Sequence, residues 1–133
     1  MAIDDGVVHE ISPSFYKLDD PTRPLIGAIA IRHRGGFIAR YCEVETRTIA
    51  VHAGQPITAG QIIARVGQLN EDAMLHFELY RELSHASFRA EGNPFKRRGD
   101  LLNPTRFLDQ VAHLFNMSHG IVTLSGNGVE SVT

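Results

Sequence analysis

Apolar and polar residues alternate with a period of two through most of the first eighty residues, in short segments bounded by Gly, Pro and Asp. This alternation places successive side chains on opposite faces of a strand, so it predicts a β-rich fold. The predicted strands are residues 7–11, 25–33, 37–44, 48–51, 61–66 and 75–80. Residues 25–44 are predicted to form a hairpin that turns at Arg34-Gly35-Gly36, because glycine adopts the positive φ of tight turns.

The connecting segments carry turn and loop residues. Residues 12–24 contain three prolines and predict a long irregular surface loop. Ala53-Gly54-Gln55 recurs as Ala59-Gly60-Gln61, which predicts two turns around the short segment 56–58. The polar stretch 81–100 predicts a further loop.

The pattern changes to helical spacing near the end of the chain. Asn103 followed by Pro104 is typical of a helix start, and apolar residues then recur at the spacing of an amphipathic helix. We expect a helix over residues 104–115 that packs on the sheet, and a late strand at 121–124. These are the apolar positions of the helix: Leu108, Val111, Ala112 and Phe115.

Together these segments predict a mainly β protein, a compact antiparallel sandwich or barrel with one C-terminal helix. The chain has 133 residues, of which 43% are hydrophobic and 21% charged, a balance typical of one globular domain. We expect one domain over residues 1–115, with 116–133 as a tail that has room for one extra strand.

Charge and composition exclude several classes of function. The net charge of -2 gives no field that would hold a polyanion, so nucleic acid is not an expected partner. The longest apolar stretch, residues 25–31, is too short to span a bilayer, and the N-terminus shows no signal-peptide pattern. Cys42 is the one cysteine, which excludes an internal disulfide. Neither a compartment nor an oligomeric state follows from the sequence.

The predicted strand at 75–80 carries the residues with most chemical potential. Its alternation places His76 and Glu78 on one face with Met74 and Tyr80, opposite an apolar face of Leu75, Phe77 and Leu79. A single histidine on the polar face of a strand is more often solvated than functional. Its neighbours along the chain therefore decide the interpretation.

Several short motifs, in this order and spacing, resemble one family. They are Asp5-Gly6-Val7-Val8, Ile31-Arg32-His33-Arg34-Gly35-Gly36, Arg40-Tyr41-Cys42-Glu43-Val44, the run from Ala53 to Gln61, Leu75-His76-Phe77-Glu78 and Asn103-Pro104. The chain resembles the lysostaphin or LytM-type zinc endopeptidases, which cut peptide cross-links of bacterial peptidoglycan. Their compact antiparallel β core agrees with the periodicity.

The resemblance implies roles for particular residues. His76 matches a zinc-binding position, whereas Met74 stands where the family has another histidine. Glu43 stands where an imidazole is common and is a candidate general base. Tyr41, Met74 and Glu78 are expected to line the substrate groove beside these two residues. A variant subgroup of the family is similar to this chain in two respects. It carries Glu at the position of Glu43, and its domain ends in a motif like Arg97-Arg98-Gly99-Asp100-Leu101.

The family's other two zinc ligands, a His and an Asp four residues apart, would precede Asp5-Gly6, and this chain begins at Met1. Catalytic zinc typically has three protein ligands, so one imidazole is not expected to hold it stably. The chain is therefore expected to be inactive by itself. Glu43, Asp72, Glu78 and His85 lie near His76 in the sequence or in the predicted strand pairing, but none of them has the spacing of a metal ligand.

Three functions remain open. The first is a peptidoglycan peptide hydrolase domain with an incomplete metal site. The second is a non-catalytic relative that binds peptidoglycan peptide, or a cell-wall hydrolase as its partner, and so regulates wall hydrolysis. The third is a lipoyl-type or biotinyl-type carrier, which is disfavoured because Lys17 and Lys96 do not lie in a predicted hairpin tip. The His and Asp pair of zinc ligands distinguishes the first two functions, because a hydrolase needs this pair and a non-catalytic relative does not.

Overall fold

The computed structural model describes residues 1–16, 20–68, 72–81, 101–119, 122–125 and 128–131. The chain divides into two compact units, Met1–Leu102 and Asn103–Thr133. The predicted boundary between residues 115 and 116 stays a prediction.

The first unit is built on one antiparallel sheet of six strands. Its strands are β1 (Gly6–Tyr16), β2 (Ile26–His33), β3 (Phe37–Glu45), β4 (Pro56–Ile57), β5 (His76–Arg81) and β6 (Leu101–Leu102). Their order in the sheet is β4-β1-β2-β3-β5-β6, so the sheet formed by the described residues is open and not a closed barrel. The prediction of a mainly β fold with one helix is confirmed.

The central hairpin is also confirmed. β2 and β3 pair in antiparallel register from Ile26 opposite Glu45 to His33 opposite Phe37. The turn between them contains Gly35 and Gly36, both with positive φ.

Three local predictions were wrong. Residues 12–16 continue β1 instead of belonging to a loop, because they pair with β2 as far as Tyr16 opposite Ile26. The segment 48–51, predicted as a strand, forms none: Thr48 is the last residue of a 3-10 helix, Thr46–Thr48, and residues 49–51 have no regular structure. Segment 61–66 contributes one isolated bridge, Val66 with Val44. Most of the predicted loop 81–100 lies outside the described residues, and Arg81 ends β5.

The core lies on both faces of the middle strands. Every residue of β2 except Arg32 is buried. The strand lies between β1 and β3, and both of its faces are covered. On one face Ala30, Ile38 and Tyr80 pack together with Leu101. The other face presents Ile29 and Ile31, both 0% exposed.

The segment after β3 returns along the sheet without forming a long strand. The Glu45 N–H donates to the carbonyl of Arg65, and the Gly67 N–H donates to the carbonyl of Glu43, at 2.9 and 2.7 Å. A Cβ on Gly67 would lie 2.5 Å from Ile26 Cδ1 on β2 and 3.0 Å from the Glu43 carbonyl oxygen on β3, so a larger residue here would force its neighbours to shift.

The repeated Ala-Gly-Gln motifs form the two predicted turns. In each, the glutamine side-chain oxygen accepts the N–H of the residue three positions earlier, His52 for Gln55 and Thr58 for Gln61. The turns flank β4, as the repeat predicted.

The second unit contains helix α1 (Thr105–His119) and a hairpin of β7 (Val122–Ser125) and β8 (Gly128–Ser131). The Asn103 side-chain oxygen accepts the Thr105 N–H at 3.0 Å, which confirms the predicted N-cap. The packing of α1 on the sheet stays a prediction. In the part of the chain that the structure describes, no helix has the length and apolar character to cross a membrane.

Candidate functional site

The candidate site lies where the end of β3 meets the start of β5. The register pairs Cys42 with His76 and Arg40 with Glu78. Residues opposite each other in an antiparallel pair share a face, so these four side chains lie on one side of the sheet. His76 and Glu78 therefore share a face, as the alternation predicted.

Glu43 joins this face because the backbone is irregular at its position. Val44 pairs with Gly27 and Cys42 pairs with Ala28, which leaves Glu43 as an extra residue in a β-bulge. Its φ is 65°, and it is the one non-glycine residue with positive φ in the described ranges. A left-handed backbone costs a non-glycine residue about 1–2 kcal/mol, and such strain clusters at functional positions.

The bulge brings the carboxylate of Glu43 to the imidazole of His76. Glu43 Oε1 lies 3.8 Å from His76 Nδ1. The side chain of Glu43 is 8% exposed and that of His76 is 43% exposed, so the imidazole is the member of the pair that solvent or a ligand reaches. The two candidate residues for catalysis and metal binding are thus neighbours.

A second carboxylate lies on the other side of the imidazole. Glu78 Oε1 is 3.2 Å from His76 Nε2. The other oxygen of Glu78 accepts hydrogen bonds from the Tyr80 hydroxyl at 2.9 Å and from Arg40 Nη1 at 3.4 Å. Glu78 is therefore held in place by three side chains, of which two belong to its own strand.

This arrangement does not match the donor set of a catalytic zinc site. The two nitrogens of an imidazole point away from each other, and each faces a different carboxylate here. No single position is therefore adjacent to His76 and to both glutamates. Among the described residues, no three His, Cys, Asp or Glu side chains form a group that could hold a metal ion.

Tyr41 lies on the opposite face of the sheet from His76. It pairs with Phe77, and the two rings meet edge to face with centroids 5.4 Å apart. Its side chain is buried, and its hydroxyl accepts the Ile3 N–H at 3.0 Å and bonds His33 Nε2 at 3.1 Å. The structure therefore places Tyr41 apart from Glu43 and His76, whereas the groove prediction placed the three together.

The buried His33 has a defined tautomer. Its Nδ1 lies 3.1 Å from the carbonyl oxygen of Asp5, which can only accept, so Nδ1 carries the hydrogen. Nε2 is then the acceptor of the Tyr41 hydroxyl. Burial lowers the pKa of His33 below 6.5 and raises the pKa of Tyr41 well above 10.0, which favours the neutral form of both groups.

Two other residues differ from their predicted surroundings. Met74 precedes β5 and is 60% exposed, so strand pairing does not fix the position of its side chain beside the site. Leu75, predicted to belong to the apolar core face, is 45% exposed. That face is instead formed by Phe77 and Leu79, which are partly and fully buried.

No histidine is a neighbour of Cys42 along the chain, yet the strand register makes His76 its cross-strand partner. Cross-strand pairing depends on register, which a single sequence does not reveal. Burial raises the pKa of the Cys42 thiol to about 12, so the thiol stays protonated near neutral pH. Cys42 is therefore a small buried residue on the same face as His76 and not an activated nucleophile.

Comparison with known proteins agrees with the fold and with the motifs. A search of curated proteins finds no matching relative. The sequence profile of peptidase family M23 matches residues 1–92, which include β1 to β5 and the segment with Glu43, His76 and Glu78. This is the family of LytM and lysostaphin and is generally zinc-dependent. Because the match covers 92 of 133 residues, the chain belongs to peptidase family M23.

Proposed function

We propose that this chain acts on peptidoglycan peptides as a LytM-type hydrolase domain whose metal site is incomplete in the described residues. One observation carries the proposal: a β-bulge with a left-handed backbone places the buried Glu43 carboxylate 3.8 Å from the half-exposed His76 imidazole. Strained backbone that directs a carboxylate toward an accessible imidazole favours a functional site over a structural one.

The proposed roles follow from these positions. His76 stands at a zinc-binding position of the family, and Glu43 is the general base. Glu78 orients His76 because it contacts Nε2 while Arg40 and Tyr80 hold its other oxygen. Met74 borders the groove as an exposed apolar residue.

Hydrolysis by the described residues alone is not expected. A general base contributes about 10²- to 10⁴-fold, whereas water without a bound metal has a pKa near 15.7. We therefore propose that the chain by itself binds wall peptide and does not cut it, and that stable zinc binding needs donors beyond those described.

A non-catalytic regulator of wall hydrolysis is the second candidate. Carboxylates lie beside both nitrogens of His76, and Arg40 neutralises one of them. Such a set of hydrogen-bonding groups suits recognition of a peptide or of a hydrolase partner without any metal.

Incubation with purified peptidoglycan sacculi tests the proposal. The protein is added with and without zinc, bound protein is measured after sedimentation, and released fragments are analysed by mass spectrometry. We expect binding that falls about fivefold in His76→Ala, without released fragments. His52→Ala is the matched control, since His52 is exposed in the same unit and lies on a turn away from β5.

The outcomes separate the candidates. Chelator-sensitive fragments from the wild-type chain, absent with His76→Ala, would show a complete hydrolase and contradict the incomplete donor set. Binding that is equal in wild type and His76→Ala would contradict the placement of the site. Binding that strengthens when zinc is added and weakens with chelator would favour the hydrolase domain over the regulator, because recognition without a metal does not depend on zinc.

A further inference from the structure

Residues 1–5, which we term the N-terminal segment, precede β1 and form no strand of their own. Two parts of the first unit hold them in place. On one side, backbone hydrogen bonds join Ala2 to the second Ala-Gly-Gln turn: the Ala2 N–H donates to the Gln61 carbonyl at 2.9 Å, and the Gly60 N–H donates to the Ala2 carbonyl at 2.8 Å. On the other side, the segment contacts residues of β2 and β3.

The contacts with β2 and β3 depend on the imidazole of His33. Its Nδ1–H donates to the Asp5 carbonyl, and its Nε2 accepts the hydrogen of the Tyr41 hydroxyl, each at 3.1 Å. The Tyr41 oxygen accepts the Ile3 N–H at 3.0 Å. His33 and Tyr41 are both buried, so solvent does not supply substitute partners. The neutral imidazole therefore holds the segment twice, directly at Asp5 and through Tyr41 at Ile3.

Protonation of His33 is incompatible with this network. A protonated imidazole donates from both nitrogens and accepts at neither. Its Nε2–H would compete with the Ile3 N–H for the Tyr41 oxygen, and the Tyr41 hydroxyl hydrogen would lose its acceptor. A buried donor without an acceptor is costly. Release of the segment relieves this cost, because water can then reach the imidazole and the hydroxyl.

The charged groups near His33 largely offset one another. The carboxylates of Asp4 and Asp5 favour the protonated imidazole. Both carboxylates also face the guanidinium of Arg34, which lies 3.1 Å from an oxygen of Asp4 and 3.8 Å from an oxygen of Asp5. The positive charge of Arg34 therefore weakens their effect on the imidazole.

The strands on either side of His33 add no further charge. On β3, the ring of Phe37 stacks on the imidazole with centroids 5.3 Å apart, and Tyr41 contributes a neutral hydroxyl. On β1, the residue opposite His33 is Gly6. Desolvation by burial is therefore the largest influence, and it lowers the pKa of His33.

We propose that His33 is an acid-sensitive latch for the N-terminal segment: the neutral imidazole holds residues 1–5 against β2 and β3, and protonation in mild acid releases them while the sheet stays folded. This switch is independent of the proposed function. His33 shares the face of Phe37 and Tyr41, on the opposite side of the sheet from His76.

The direction of the pH dependence follows from the two states of His33. In the released state the imidazole contacts water and has the ordinary pKa near 6.5, whereas the pKa is lower in the latched state. As the pH falls, the released state takes up the proton at a higher pH than the latched state does. The released population therefore rises below pH 6.5, and one linked proton limits the rise to about tenfold between pH 7.5 and 5.5.

Hydrogen exchange of the full chain, measured by NMR between pH 7.5 and 5.5, tests the latch. Protection factors, which are corrected for the intrinsic pH dependence of exchange, are followed for the Ile3 and Gly60 amides, which are bonded to Tyr41 and to the segment. We expect both to fall by at least about twofold, with about tenfold as the limit. Low concentrations of urea should not change them, because urea accelerates openings that expose much surface.

The Ile29 amide in the middle of β2 reports global unfolding, and its exchange is expected to be slower and to respond to urea. His33→Gln keeps a donor and an acceptor but does not titrate, so its protection factors at Ile3 and Gly60 should not depend on pH. His52→Gln is the matched control, since His52 is exposed on the first Ala-Gly-Gln turn, and it should keep the wild-type fall.

A fall of less than about twofold in the wild-type chain would overturn the latch, and so would an equal fall in His33→Gln. Exchange at Ile3 with the same protection and urea dependence as at Ile29 would show global unfolding instead of local release. The imidazole carbon shifts of the wild-type chain give a second measurement that needs no variant. A His33 that titrates at or above pH 6.5 would also contradict the proposal.

Discussion

The left-handed backbone at Glu43 predicts an unusual response to substitution. Replacing Glu43 by Gly or by Ala removes the same carboxylate, so the loss of its contact with His76 is common to both variants. They differ in backbone: a φ of 65° costs alanine about 1–2 kcal/mol and glycine nothing. Glycine loses about 0.4–1 kcal/mol more entropy on folding.

The difference between these terms leaves Glu43→Gly about 0.5–1 kcal/mol more stable than Glu43→Ala. For a unit of this size the corresponding difference in Tm is about 2–8 °C. Urea and thermal unfolding followed by circular dichroism measure both quantities. Both variants are expected to lose sacculus binding to the same extent.

Glu45 provides the matched control for this pair. Its φ is -70°, an ordinary conformation for any residue. The order should therefore reverse, with Glu45→Ala about 0.4–1 kcal/mol more stable than Glu45→Gly. If alanine were also the better residue at position 43, the strained bulge, and with it the argument for a functional site at Glu43, would be refuted.

Three further predictions concern the surrounding structure. Tyr41→Phe leaves His33 Nε2 and a backbone N–H without their partner, so the free energy of unfolding should fall by about 2 kcal/mol; a fall below about 0.5 kcal/mol in urea titration would contradict the assigned network. Burial makes the pKa of His33 lower in the folded protein than in the unfolded chain. As the pH falls, the unfolded chain therefore takes up this proton at a higher pH than the folded protein does. Stability should thus be complete above pH 6.5 and fall as the pH drops below it, with a flatter profile in His33→Gln. Gly67→Ala forces a methyl group against the core at the end of β3, so unfolding should become easier by about 1–3 kcal/mol and sacculus binding should weaken as Glu43 shifts; normal binding would show that this close contact does not position Glu43.

Much of the sheet follows from local patterns, because alternation and glycine turns act within a few residues. The hairpin of β2 and β3 needs only this information. Segment 61–66 has the alternation of a strand, yet it forms a single bridge, since pairing depends on a partner edge that local propensity does not specify.

The candidate site is less predictable from the sequence for the same reason. Alternation correctly places His76 and Glu78 on one face. The bulge that brings Glu43 to this face has no signal in the sequence, since glutamate rarely adopts positive φ. The bulge separates Glu43 from Tyr41, which an unbroken strand would place on the same face two residues away.

Chemical-shift mapping of the chain with soluble peptidoglycan fragments tests the central claim most directly. The account predicts that the largest changes fall on the imidazole of His76 and on the amides of Glu43 and Glu78, and that His76→Ala weakens binding about fivefold while His52→Ala does not. Shift changes confined to residues away from the paired ends of β3 and β5, or no change at saturating fragment, would contradict it.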